Sequence, residues 1–219
     1  MWNSQVIIML LQGIRVTLYM TLASTLFGYI IGLPMGIVLT VTDKDGIRPN
    51  AAVYKVLDVI SNLLRSIPFI ILLIVLIPFT RFVVGRSYGS TATIVPLTIA
   101  AAPYIARMVE SSLKEVDAGV IEAARSMGAS DFQIVTKVML VEARTSLIVG
   151  ATISLGTILG YSAMAGTVGG GGLGDIAIRY GYTRWQTDIM VVTVVLLVIL
   201  FQIFQTIGMK IANRLDRRK

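Results

Sequence analysis

Ile189-Met-Val-Val-Thr-Val-Val-Leu-Leu-Val-Ile-Leu-Phe-Gln-Ile-Phe-Gln-Thr-Ile-Gly-Met209 runs without a single charged side chain. A helix needs roughly 20 consecutive apolar residues to cross the hydrocarbon core of a bilayer, and this stretch meets that length unaided. Thr145 to Gly174 is equally free of charge. Burying such segments inside a water-soluble fold would take a much larger protein. Over the 219 residues, 55% are hydrophobic and 14% charged, with a mean hydropathy of +0.81. Soluble domains carry about 25% charged residues, so the polar surface needed to face water is missing. The pattern predicts an all-α, polytopic membrane protein.

The chain contains no cysteine and no histidine. Disulfides, thiolate metal sites, cysteine nucleophiles and histidine general bases are thereby excluded together. A net charge of +7 is compatible with nucleic-acid binding, but cytoplasmic loops of membrane proteins carry the same excess. No basic stripe interleaved with aromatics occurs outside the loops, so nucleic acid is not an expected partner. Met1-Trp2-Asn3-Ser4-Gln5 lacks the basic n-region of a secretory signal. The first apolar run is also long for an h-region, and is expected to stay as a span.

Uncharged stretches predict five spans: Val16 to Val41, Ser66 to Thr80, Thr91 to Ala106, Thr145 to Val168, and Ile189 to Ala212. The second and third are short and carry Pro68, Pro78, Pro96 and Pro103, so each is expected to extend into polar flanks. Five spans sort the positive charges cleanly. Lys44, Arg48, Lys55, Arg65, Arg107, Lys114, Arg125, Lys137 and Arg144 share one side with the tail residues Lys210, Arg214, Arg217, Arg218 and Lys219. Arg15, Arg81, Arg86, Arg179 and Arg184 fall on the other. The positive-inside rule then puts the N-terminus outside and the C-terminus in the cytoplasm. In the first span, Gly28, Gly32 and Gly36 repeat every four residues, a spacing suited to close helix packing.

None of the predicted spans has an ionisable group near its centre. Ion-coupled transporters usually hold a carboxylate, lysine or histidine there, and intramembrane hydrolases need a catalytic pair that is equally absent. The chain is therefore not expected to be an enzyme. It reads as a conduit whose energy arrives from another polypeptide. A uniporter, a carbonyl-built sodium site, or a membrane scaffold stays open on these grounds. No Gly-x-x-x-x-Gly-Lys-Ser/Thr phosphate loop occurs, so ATP would be bound by a partner. No cofactor or metal is expected.

Between the third and fourth spans lies Asp117-Ala-Gly-Val-Ile-Glu-Ala-Ala-Arg-Ser-Met-Gly-Ala-Ser-Asp-Phe-Gln133. Asp117 is a plausible N-cap for a short helix. Val120, Ala124 and Met127 share one face, while Glu122 and Arg125 stand at i,i+3 on another. Gly128 suits a helix terminator, and Ser130 with Gln133 reads as a capping box that starts the next helix. Such a helix also occurs as a plain amphipathic surface element. Its wording decides between the two readings. Glu122-Ala123-Ala124, then Gly128, then Val138-Met139-Leu140 closely resembles the EAA loop of ABC importer permeases. In that family the loop is a coupling helix seated on a cytoplasmic ATPase. The resemblance assigns ATPase coupling to Glu122, Ala123, Ala124 and Gly128, within a loop of about residues 112–141. Val141 departs from the pattern, standing where many members have proline. A changed helix entry is expected there, with coupling retained.

The likeness extends over nearly the whole chain. Arg65-Ser-Ile-Pro-Phe-Ile-Ile-Leu-Leu73, Ala101-Ala-Pro-Tyr-Ile-Ala-Arg-Met-Val-Glu110, Gly160-Tyr-Ser-Ala-Met-Ala-Gly166 and Gly169-Gly-Gly-Gly-Leu-Gly-Asp175 together resemble the permeases of bacterial methionine importers. Quaternary-amine permeases share a similar glycine-rich segment and remain the alternative. The resemblance implies a type I importer permease fold, one transmembrane domain over residues 1–219 and a homodimer in the bacterial cytoplasmic membrane. It further implies two copies of an ATPase subunit and an extracytoplasmic methionine-binding protein. On the fourth span, Gly150, Ser154, Thr157, Tyr161 and Met164 share a helical face. That stripe serves either helix packing or, through Ser154, Thr157, Tyr161 and Met164, the lining of a passage. By resemblance Met164 would be an apolar gate where two copies meet.

Overall fold

A computed structural model describes residues 4–216. Met1, Trp2 and Asn3, and the tail charges Arg217, Arg218 and Lys219, lie outside the described residues. Helix α1 (Ser4–Thr42) starts three turns before the predicted first span. The apolar run of residues 6–11 is already helical, and Gln12 and Arg15 do not interrupt it. After α2 (Ala51–Ser66), α3 (Phe69–Val75) and α4 (Ile77–Val84) comes α5 (Ser90–Lys114). The loop between the predicted third and fourth spans holds α6 (Ala118–Ser126), α7 (Asp131–Gln133), a π-helical turn over Ile134–Met139, and α8 (Leu140–Glu142). Then follow α9 (Arg144–Ala165), the short α10 (Gly172–Ile176) with a second π-helical turn over Ala177–Tyr182, and α11 (Thr187–Leu215). Four of these helices are long and apolar enough to cross a bilayer. A fifth candidate span is the pair α2 and α3, bent by 103°.

The bend has a local cause. Ile67 is extended ahead of Pro68, which caps α3, and a residue before proline is pushed out of the helical region. Pro78 likewise sits in the first turn of α4, where its missing N–H costs nothing. The predicted second span is thus two short helices fed by an amphipathic one. Pro34, Pro96 and Pro103 lie inside unbroken helices.

Helices α1 and α5 run parallel and in close contact. A Cβ on Gly28 would meet the Ala101 Cβ at 3.0 Å, and one on Gly32 would come within 2.6 Å of the Ala102 carbonyl oxygen. On Gly36 it would reach 2.5 Å from the Ala106 oxygen. Packing is what joins helices in a membrane, since burial away from lipid supplies no hydrophobic drive. Hydrogen bonds add fasteners. Thr21 Oγ1 donates to Ser162 Oγ at 3.4 Å, and the Leu173 N–H to Thr17 Oγ1 at 2.9 Å, tying α1 to α9 and α10. Helix α11 runs antiparallel to α9: Gly208 faces Thr152, and Gly156 faces Phe201.

The end of the bundle nearest that loop is held by charge. Glu110 is 4% exposed and sits between Arg107 Nη1 at 2.7 Å and Lys114 Nζ at 2.8 Å. Arg107 also grips Asp58 on α2, and Lys114 reaches Asp43 just past α1 at 2.6 Å. The Lys114 ammonium holds the Asp43 carboxyl below the usual carboxylate range. That contribution is present at neutral pH and fades as pH falls through the depressed value. Three helices are thereby fastened around one buried carboxylate.

Substituting Gly32 with valine is expected to cost about 1–3 kcal/mol through overpacking against fixed backbone, read as a lower thermal midpoint in detergent. An unchanged midpoint would refute the tight α1–α5 contact. Glu110→Ala leaves Arg107 and Lys114 with one carboxylate each, Asp58 and Asp43, and should destabilise by about 1–3 kcal/mol through the lost charged hydrogen bonds. Lys44→Ala, which removes only the exposed pair with Asp45 at 3.7 Å, should change the midpoint little. Equal effects from the two would argue that the buried cluster is not structural.

Candidate functional site

Each predicted punctuation mark of the loop between α5 and α9 is a hydrogen bond in the structure. Asp117 Oδ1 accepts from the Gly119 N–H at 2.8 Å and opens α6. Gly128, at φ 83°, closes it. Its N–H goes to Arg125 O at 3.0 Å, and the Ala129 N–H to Ala124 O at 3.1 Å. Those two bonds form a Schellman motif, whose left-handed residue is best tolerated as glycine. Two residues later the capping box is complete: Gln133 N–H to Ser130 Oγ at 3.3 Å, and Ser130 N–H to Gln133 Oε1 at 2.9 Å.

This rigid hook is seated by a narrow foot. Of Val120, Ala124 and Met127, only Ala124 is buried; Val120 is exposed, and Met127 is 81% exposed. Ala124 and Ile121 instead pack into a cluster with Ile105, Val109 and Leu113 of α5 and Ile134 and Met139 of the π-helical turn. The seat is therefore Ile121 and Ala124, and of the Val120, Ala124 and Met127 stripe it takes Ala124 alone. Glu122 and Ala123 are exposed. Arg125 does not pair with Glu122: its Nη2 donates to the Ile47 carbonyl at 3.0 Å and lies 4.0 Å from Asp131. Phe132, 76% exposed, is a second large apolar side chain that the loop leaves uncovered. A groove of about 430 Å³ alongside is lined by Asp43, Lys114, Glu122 and Arg125. The loop thus presents apolar tips and mixed charges away from the bundle, in the manner of a docking surface.

At Val141 the chain stays helical. The Ala143 N–H bonds to Met139 O at 2.9 Å and the Leu147 N–H to Ala143 O at 2.8 Å, carrying α8 into α9. A proline here would interrupt that entry.

The fourth-span stripe divides along its length. Gly150 packs against Met108, and Ser154 is fully buried with its hydroxyl turned back to Gly150 O at 2.8 Å. Ser154 packs inward in this conformation. Further out the face opens. Thr157 Oγ1 donates to Ile153 O at 3.0 Å and lies 3.5 Å from Tyr104 Oη. Tyr161 is half-buried and stacks on Phe69, with ring centroids 4.6 Å apart and planes 4° from parallel. Met164 is 46% exposed. Tyr104 and Phe69 went unnoticed in the sequence as partners of this stripe, because nothing local links α3 and α5 to α9. Beyond Met164 the chain turns through Gly169, Gly171 and Gly172, all at positive φ, and folds α10 back against α9. A Cβ on Gly174 would lie 2.1 Å from Ala163 O.

Comparison with known proteins follows the same lines. The profile of the family described as "Binding-protein-dependent transport system inner membrane component" matches residues 28–219. The probable D-methionine transport system permease protein MetI of Vibrio cholerae is 48% identical, over 96% of this chain and 93% of that protein. The D-methionine transport system permease protein MetI of Escherichia coli K12 is 54% identical, over 72% and 73% of the two chains. A chain of the MetNI methionine ABC transporter, solved in inward-facing conformations, superposes with a TM-score of 0.97 at 50% identity. That match covers 99% of this chain and 100% of that one. An amino acid ABC transporter chain at 20% identity and TM-score 0.77 shares the fold. From the profile and from these relatives, the chain belongs to the family of binding-protein-dependent transport system inner-membrane components.

Proposed function

We propose that this chain is the membrane-spanning permease subunit of an ATP-driven importer that carries methionine across the bacterial cytoplasmic membrane. The reading rests on agreement with the methionine transporter chain over 99% of the length at half identity, joined to an exposed, doubly capped helix facing away from the bundle. The chain works as one transmembrane domain, paired with a second copy and served by two ATPase subunits and an extracytoplasmic binding protein. Its N-terminus lies outside and its C-terminus in the cytoplasm, as the charge distribution favours.

In this reading α6 seats on the ATPase through Glu122, Ala123 and the turn at Gly128, with Ala124 keyed into the permease. ATP-dependent closure of the paired ATPases pulls on the hook. The shared cluster with Ile105 and Val109 passes that motion to α5, an alternation of access by rigid-body movement. Thr157, Tyr161 and Met164 line the passage where two copies meet. Met164 is its apolar gate, a flexible thioether that closes a narrow path and moves aside at little cost.

The deciding measurement is uptake of labelled methionine into proteoliposomes containing this chain, its ATPase and its binding protein, with excess glycine betaine present. Uptake that needs ATP and ignores betaine is expected. A hydrolysing complex that moves no methionine would overturn the substrate. Gly128→Val places a β-branched residue at positive φ, where non-glycine side chains are disfavoured by about 1–2 kcal/mol. Import should fall to background while the variant still inserts into the membrane. Import at the wild-type rate would remove the turn from the coupling path.

A further inference from the structure

Where α2 bends into α3, the chain leaves a cavity of about 190 Å³ against α5 and α9, lined by Leu64, Arg65, Phe69, Leu72, Tyr104 and Tyr161. Its depth follows from its neighbours. Arg107, one turn nearer the cytoplasm than Tyr104, holds Asp58 and Asn62 of α2. On the other side Phe69 and Leu73 pack with Leu97. The cavity therefore lies beside the middle of α5, inside the spanning region.

Arg65 is the charged residue of this lining. Its side chain makes no ion pair or hydrogen bond among the described residues, whereas Arg107 nearby is shared between two carboxylates. Arg65 is exposed, so its guanidinium is open to a counterion that enters the cavity. Phe69 and Tyr161, stacked face to face, give the same cavity an apolar aromatic wall. Tyr161 and Tyr104 connect it to the open face of α9. The volume lies below the roughly 300–1,000 Å³ of drug-sized sites, so the occupant is one small molecule.

We propose that this cavity is a way-station for a single zwitterionic α-amino acid, whose carboxylate pairs with the Arg65 guanidinium while its apolar side chain lies against Phe69 and Tyr161. A planar guanidinium matches a carboxylate with two parallel hydrogen bonds, and sulfur or methylene groups pack well on aromatic rings. The assignment rests on the importer reading above and adds a permease-borne selection step to it. It selects for a free carboxylate, and against the same side chain without one.

The test uses the assembled permease–ATPase complex in nanodiscs, without binding protein, and measures equilibrium binding of radiolabelled methionine. Saturable binding is expected to weaken at least tenfold in R65Q and less in R65K, with both variants first shown to co-purify with the ATPase. Methionine's decarboxylated amine should fail to compete on the wild type, a control independent of any substitution. Equal binding by wild type and R65Q, or competition by the amine as strong as by methionine, would overturn the site. Wild-type proteoliposomes run alongside separate the two levels. Methionine uptake without saturable binding overturns the way-station and leaves the importer intact. A hydrolysing complex that neither transports nor binds methionine overturns both.

Discussion

Three glycines, one per turn, let α1 lie against the backbone of α5, and most of the architecture depends on that approach. With any side chain at Gly32 the two helices would have to separate, and Ile105 and Val109 would lose their seat. Those residues face two ways. On one side they fill the space the glycines leave; on the other they meet Ala124 and Ile121 of the hook. Close contact at the bilayer centre and firm anchorage of α6 are consequently one packing problem. A helix pair held by van der Waals contact over so much length behaves as a single body, so displacement at the hook reaches the membrane interior with little lost to bending.

Electrostatics divides the charged residues of the bundle into two kinds. Glu110 is buried, but Arg107 and Lys114 satisfy it, and their second partners, Asp58 and Asp43, draw in α2 and the end of α1. A charge that is paired and hydrogen-bonded is a fastener. Arg65 is the other kind, a cation beside an aromatic wall with no counterion among the described residues. The contrast between two arginines on adjoining turns of the same interface is more informative than either residue alone.

Much of this was legible before any coordinates. The charge-free runs around residues 145–174 and 189–209 permitted little besides spans, because length and composition act without tertiary context. The hook was readable to the individual hydrogen bond, since N-caps, capping boxes and glycine turns are local chemistry. Glu110 with Arg107 and Lys114 was readable too, at i,i+3 and i,i+4, yet hydropathy windows ended the third span at Ala106 and left them outside it. What stayed hidden was non-local. Nothing near Ser154 announces that its hydroxyl turns inward, and nothing near Phe69 announces Tyr161. The face of α6 that seats in the bundle was not legible, because its partners on α5 and the π-helical turn choose it and helical periodicity does not show them.

Helix α11 spans 29 residues and is little covered by the rest of the chain. Its uncharged stretch, residues 189–209, is about 32 Å long at 1.5 Å per residue, which matches a hydrocarbon core of roughly 30 Å. A thicker or thinner bilayer is met by a change of tilt or by local deformation of the lipid. Because α11 is pinned to α9 where Gly208 meets Thr152 and Gly156 meets Phe201, a change in its inclination turns α9 with it. Membrane thickness thereby becomes a mechanical input to the helix that carries Tyr161 and Met164.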